Sequence, residues 1–173
     1  RAGVLPAVLA PVLGSSAPAA AASTFTSTVV NQASSDCMDD PNSSTSTGVQ
    51  LIQYSCNSGS NQNWTLTPVS GTTAAYTITS FAGLCVDVSG KSTADNAQII
   101  QWTCNSQTNQ QWTLQPVTVS GATNTFNLVS VNSGKCIVPT GDTTANDTVL
   151  VQLPCTTATT RVWRLPAYSS SST

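Results

Sequence analysis

Residues 85–112 read CVDVSGKSTADNAQIIQWTCNSQTNQQW, and the pattern recurs on either side. Cys85 and Cys104 lie 19 positions apart, and Trp112 follows the second cysteine by eight. The same ruler fits Cys37, Cys56 and Trp64 upstream and Cys136, Cys155 and Trp163 downstream. Such self-similarity means that one supersecondary unit is built three times, each unit burying its apolar face against the others. The copies are offset by 48 and then 51 residues.

Inside each copy the local signals are those of strands. Val49-Gln-Leu-Ile-Gln-Tyr54, Tyr76-Thr-Ile-Thr79 and Phe126-Asn-Leu-Val129 are short runs rich in β-branched and aromatic residues. Clusters such as Ser70-Gly71, Ser89-Gly90, Ser120-Gly121, Ser133-Gly134 and Thr140-Gly141-Asp142 separate them as turns. No stretch after residue 25 keeps a helical period for three turns. An all-β fold of three such units predicts a β-trefoil with pseudo-threefold symmetry. A three-bladed propeller is its geometric rival, although propellers usually have four or more blades.

Six cysteines allow 15 pairings. The repeat favours one: Cys37–Cys56, Cys85–Cys104 and Cys136–Cys155. Zinc is a poor alternative, because the cysteines are not in CxxC pairs and the chain has no His. The 173 residues carry seven acidic side chains, all Asp, five basic ones and no Glu. Without His there is no Ser-His-Asp or Cys-His machinery. A net charge of −2 argues against a phosphate-binding surface and so against nucleic acid as partner. No metal or other cofactor is expected.

Residues 1–22 differ from the rest. Arg1, the apolar run GVLPAVLAPVLG and Ala20-Ala21-Ala22 read as a secretory signal remnant, or else as an N-terminal arm that docks on another secreted protein. The run is too short, and too broken by Pro6 and Pro11, to span a membrane. Either reading places the protein outside the cell, as paired cysteines also suggest. The expected organisation is therefore 1–22 as signal remnant or arm, 23–168 as the trefoil (repeats about 25–70, 75–120 and 125–167) and 169–173 as a Ser-rich tail.

The chain resembles the ricin B-type lectin domain, also called the family-13 carbohydrate-binding module. The resemblance rests on Cys37-Met-Asp39 with Asn61-Gln62-Asn-Trp64, on Cys85-Val-Asp87 with Asn109-Gln110-Gln-Trp112, and on the weaker third copy Cys136-Ile-Val138 with Arg161-Val-Trp163. Two copies hold the QxW signature; the third keeps only its Trp. It implies a trefoil that binds sugars in shallow pockets, one to a repeat at most.

The three copies also act as an internal alignment that separates scaffold from site. Trp64, Trp112 and Trp163 persist throughout and are expected in the core. Three other positions divide two against one. They are Asp39, Asp87 and Val138; Tyr54, Trp102 and Leu153; Asn61, Asn109 and Thr160. The third copy has lost a carboxylate, an aromatic and an amide together, which suggests that they act as a unit. An ionised Asp accepts two vicinal hydroxyls, Asn both donates and accepts, and a flat ring covers the C–H face of a pyranose. The resemblance assigns carbohydrate binding to Asp39, Tyr54 and Asn61 in a first site and to Asp87, Trp102 and Asn109 in a second. Gln62 and Gln110 are expected as helpers that also pin the turn.

Many members of the family it resembles place a Gln two residues before the aromatic, where this chain has Ile52 and Ile100. Gln53 and Gln101 stand next to the aromatics instead and should point to the opposite face. The expected function is that of a secreted, non-catalytic module for galactose-like sugars or for plant or cell-surface polysaccharides. A targeting subunit docked through residues 1–22 is the alternative. A glycosidase would need two carboxyl groups about 5–9.5 Å apart, whereas Asp39 and Asp87 belong to different lobes.

Overall fold

A computed structural model of the chain describes residues 22–72 and 74–170, with isolated positions before residue 22. Most of the signal remnant or docking arm expected over 1–22 thus lies outside the described residues, as does the end of the Ser-rich tail.

Thirteen antiparallel strands carry the fold, joined by loops and six single 3-10 turns, with no α-helix among the described residues. The first repeat contributes β1 (Phe25–Ser27) and β2 (Val30–Asn31), the halves of one interrupted strand, then β3 (Cys37–Asp39), β4 (Ile52–Tyr54) and β5 (Trp64–Pro68). The second contributes β6 (Ala75–Thr79), β7 (Cys85–Val88), β8 (Ile99–Trp102) and β9 (Trp112–Pro116). The third contributes β10 (Thr125–Ser130), β11 (Cys136–Pro139), β12 (Thr148–Leu153) and β13 (Trp163–Arg164).

The pairing closes a ring. β1 pairs with β5, β5 with β6, β6 with β9, β9 with β10, β10 with β13, and β13 returns to β2. A closed ring removes the exposed edges that would invite pairing with another chain. The remaining strands form one hairpin per repeat: β3–β4, β7–β8 and β11–β12. Neighbouring hairpins touch through the β4–β12 ladder and the bridges Gln50–Ile100 and Gln98–Val151. A six-strand barrel capped by three hairpins is a β-trefoil; because all three repeats share one barrel, separate propeller blades are ruled out.

Trp64, Trp112 and Trp163 are fully buried among Met38, Leu51, Leu66, Ile78, Val86, Ile99, Leu128, Ile137 and Leu150. A buried indole N–H needs an acceptor. Each finds the carbonyl just after the first cysteine of its own repeat: Met38 at 2.9 Å, Val86 at 3.1 Å and Ile137 at 2.9 Å. The disulfides are the three intra-repeat pairs expected, with Cα–Cα distances of 5.1, 5.1 and 5.0 Å. Each closes its hairpin and contributes about 3 kcal/mol on the chain-entropy model.

A second threefold device joins the lobes. Gln53, Gln101 and Gln152 are fully buried. Gln53 Nε2 donates to the carbonyls of Thr143 and Ala145, Gln101 to those of Ser44 and Ser46, and Gln152 to those of Ser92 and Ala94, at 2.8–3.0 Å. Each repeat therefore fixes the hairpin loop of a neighbour. The strand alternation that turns Tyr54 and Trp102 outward sends these amides inward.

Candidate functional site

The second repeat builds the more apolar of two matching pockets. β7 carries Asp87, which pairs with Ile100, and β8 carries Trp102, which pairs with Cys85, so the two are set diagonally across the hairpin. The turn at Thr108–Gln110 brings Asn109 beside them. Asp87, Trp102 and Asn109 line a cavity of about 460 Å³ together with Ile100, Asn105, Gln107 and Ser89-Gly90-Lys91. Trp102 is 43% exposed while Asp87 is 4% and Asn109 4% exposed, so the floor is polar and buried and the platform is open. Trp102 also approaches a loop of the first repeat: a Cβ on Gly48 would lie 3.4 Å from Trp102 Cζ3.

The carboxylate is held from behind. Gln110 Nε2 donates to Asp87 Oδ2 at 2.8 Å and to the Thr103 carbonyl at 2.9 Å. Its Oε1 accepts the Asn105 N–H at 2.9 Å. Asn109 Nδ2 donates to the Val88 carbonyl at 3.1 Å, leaving its buried Oδ1 without a partner. Burial pushes the Asp87 carboxyl above its usual range, opposed by the hydrogen bonds from Gln110 and Asn109.

The first repeat repeats the plan. Asp39, Tyr54 and Asn61 line a cavity of about 380 Å³ with Pro41, Asn42, Ile52, Asn57 and Asp147. Gln62 Nε2 donates to Asp39 Oδ2 at 2.7 Å and to the Ser55 carbonyl at 3.0 Å, and its Oε1 accepts the Asn57 N–H at 2.9 Å. Asn61 Nδ2 donates to the Asp40 carbonyl at 3.1 Å. The Asp39 carboxyl is also raised, chiefly by burial and further by the charge of Asp147, against hydrogen bonding from Gln62 and Asn61.

The third repeat fills the same place differently. Val138 is fully buried where the acids stand. Arg161 replaces the glutamine and still reaches the equivalent carbonyl, that of Pro154. Its Nε and Nη2 bind Asp142 at 2.9 and 2.7 Å, and Thr160 Oγ1 donates to the same carboxylate at 2.9 Å. Hydrogen bonding from Arg161 holds the Asp142 carboxyl below its usual range. The polar groups here satisfy one another.

The sequence model of the ricin-type β-trefoil lectin domain matches residues 25–163. This chain belongs to that family. The lectin domain is 31% identical to a designed threefold-symmetric protein, ThreeFoil, over 81% of this chain and 96% of that one, with a TM-score of 0.73. It is 25% identical to an exo-β-1,3-galactanase from Clostridium thermocellum, covering 81% of this chain but 29% of that one, at a TM-score of 0.73. The Macrolepiota procera ricin B-like lectin, solved with lactose, shares the fold at 18% identity, 84% and 97% coverage and a TM-score of 0.68. No curated protein matches the chain.

Six of the eight expected site residues of this lectin domain line the two pockets. Gln62 and Gln110, 1% and 0% exposed, stand behind the acids instead. The repeat comparison overlooked Asn57 and Asn105, although they obey the same two-against-one rule, with Thr156 in the third copy. Asp147 could not be found that way, because it enters the first pocket from the third repeat.

Proposed function

We propose that this lectin domain is an extracellular carbohydrate-binding module that holds sugars, without cleaving them, in the pockets of repeats one and two. One observation carries the reading: in both pockets an exposed aromatic ring stands over a nearly buried, glutamine-anchored carboxylate, and the third repeat lacks both. The ring gives an apolar platform for the C–H face of a pyranose. The free carboxylate oxygen accepts hydroxyl donors in charge-assisted bonds, and the amides of Asn57, Asn61, Asn105 and Asn109 complete the pattern.

The relatives whose names state a sugar, the lectin solved with lactose and the galactanase, favour a galactose-bearing glycan. Two weak sites on one rigid trefoil would gain by avidity on a polymer or a glycan surface.

The test is a glycan array followed by titration of the best ligand into wild type, Asp87→Ala and Trp102→Ala. Loss of site-two binding in both variants, with the fold intact by circular dichroism, is expected. Unchanged affinity in both would reject the site assignment. Release of reducing sugar by the purified chain would replace binding with hydrolysis.

A further inference from the structure

The two pockets are not equivalent in charge, and the difference comes from the loops that neighbouring repeats lend them. The first pocket receives Asp147 from the 143–147 loop of the third repeat. That loop is fixed by the two Gln53 hydrogen bonds to Thr143 and Ala145 and by Ser55, whose backbone N–H donates to Asn146 Oδ1 at 2.7 Å. The equivalent loop of the first repeat, held by Gln101, brings Gly48 beside Trp102 but places no residue in the lining of the second pocket.

At the end of this loop the backbone is left-handed in all three copies, with φ of 83° at Gly48, 65° at Asn96 and 61° at Asp147. Gly, Asn and Asp all tolerate that conformation, so the backbone alone does not demand a charge here. Gly48 sets no side chain beside Trp102, whereas Asp147 adds a second carboxylate to the pocket of Asp39 and Tyr54. Among the described residues no basic side chain lines that pocket, and neither acid belongs to an ion pair. The second pocket instead sets Lys91 against its single Asp87.

Two like charges in one small cavity repel, and a ligand that brings a positive charge relieves them. An ammonium offers three donors and no acceptor, which suits a lining that holds the two carboxylates of Asp39 and Asp147 beside Asn42, Asn57 and Asn61. Building on the carbohydrate-binding reading above, we infer that site one selects a sugar bearing a free, protonated amine, with Asp147 as the specificity-determining residue, while site two takes a neutral sugar. N-acetylation of the amine removes the charge and with it the preference. The raised carboxyl of Asp39, to which Asp147 contributes, agrees with this.

The experiment follows site-one resonances by NMR in full-length Asp87→Ala protein, in which site two is disabled. Galactose, galactosamine and N-acetylgalactosamine are titrated, with the matching glucose series, at about pH 6.5, where an α-type amine is protonated and ordinary carboxylates are ionised. The free amine should bind up to about fivefold more tightly than either neutral partner, the upper end of what exposed charge pairs contribute. Asp147→Asn should abolish most of that gain, and added salt should shrink it.

Equal affinity for all three sugars, a gain that survives Asp147→Asn, or no binding of any of them at site one overturns the inference. Each leaves the carbohydrate-binding reading standing if wild type binds a sugar at site two. Neutral-sugar binding at site one that requires calcium and disappears with chelator also overturns it, since the carboxylates would then hold a metal ion. Failure of every sugar at both sites defeats the underlying reading itself.

Discussion

Gln110 ties Asp87 to Asn105 through a single amide: its Nε2 donates to Asp87 Oδ2 at 2.8 Å while its Oε1 accepts the Asn105 N–H at 2.9 Å. Both of the joined residues line the second pocket, and the fully buried QxW glutamine braces them from behind. Gln110→Leu keeps the bulk but removes the donor, leaving a nearly buried carboxylate short of one hydrogen bond. The expected cost is about 1–3 kcal/mol of stability, read from urea denaturation. Site-two affinity should fall with it, while site one, anchored by Gln62, serves as the internal control in the same NMR titration.

The clamp glutamines show one imperfect copy. Ser34 Oγ donates to Gln53 Oε1 at 3.2 Å, and Ser133 Oγ donates to Gln152 Oε1 at 2.9 Å. The corresponding residue in the second repeat is Ala82, and Gln101 Oε1 is buried without a partner. Ala82→Ser supplies the missing hydroxyl at a partly buried position. It is expected to stabilise the protein by about 1 kcal/mol, seen as a higher Tm; a neutral or destabilising result would mean that the second clamp does not share the geometry of the other two.

These relationships mark how far the sequence could be read. Cys85, Cys104 and Trp112 define a ruler that any single chain displays, and disulfides, core tryptophans and trefoil symmetry follow from it. Asp87, Trp102 and Asn109 were legible because the third repeat discards all three at once. The inward turn of Gln53 and Gln101 followed from strand alternation, but their loop partners did not, since each reaches into another repeat. Asp147 was hidden for that reason: it lies in the loop that the third repeat lends to the first, and comparison of copies at equal positions cannot show which lobes meet. The unpartnered burial of Asp40 likewise has no counterpart in the repeats, where Val88 and Pro139 stand.

Sugar affinity should depend on acidity. Burial raises the carboxyls of Asp87 and Asp39 above the usual range, and each accepts ligand hydroxyls best when ionised. Binding should therefore weaken as the pH falls through the raised values, at higher pH than an exposed Asp near 3.9 would give. Titrations of the identified ligand at several pH values check this. A midpoint at or below the ordinary carboxylate value would show that these acids do not need to be charged in the complex.

Asp40 imposes the opposite dependence on folding. It is fully buried beside Asp39, and neither carboxylate oxygen has a hydrogen-bond partner. Burial first, and the charge of Asp39 second, push its carboxyl from 3.8 up to about 6. The folded protein thus holds this proton more tightly than the unfolded chain. Between the two values the native state binds more protons, so stability falls as the pH rises through that window. The contribution is fully present below about pH 4 and gone above about pH 6, a swing on the order of 2–3 kcal/mol. Asp40→Asn retains the shape and removes the charge. It should stabilise the protein by a comparable amount at about pH 7.5 and by little at about pH 4, measured as urea midpoints with the disulfides intact. A gain of equal size at both pH values would show that Asp40 does not titrate between them, and would leave the acid-side stability to Asp36, Asp39 and Asp87, whose carboxyls burial also raises.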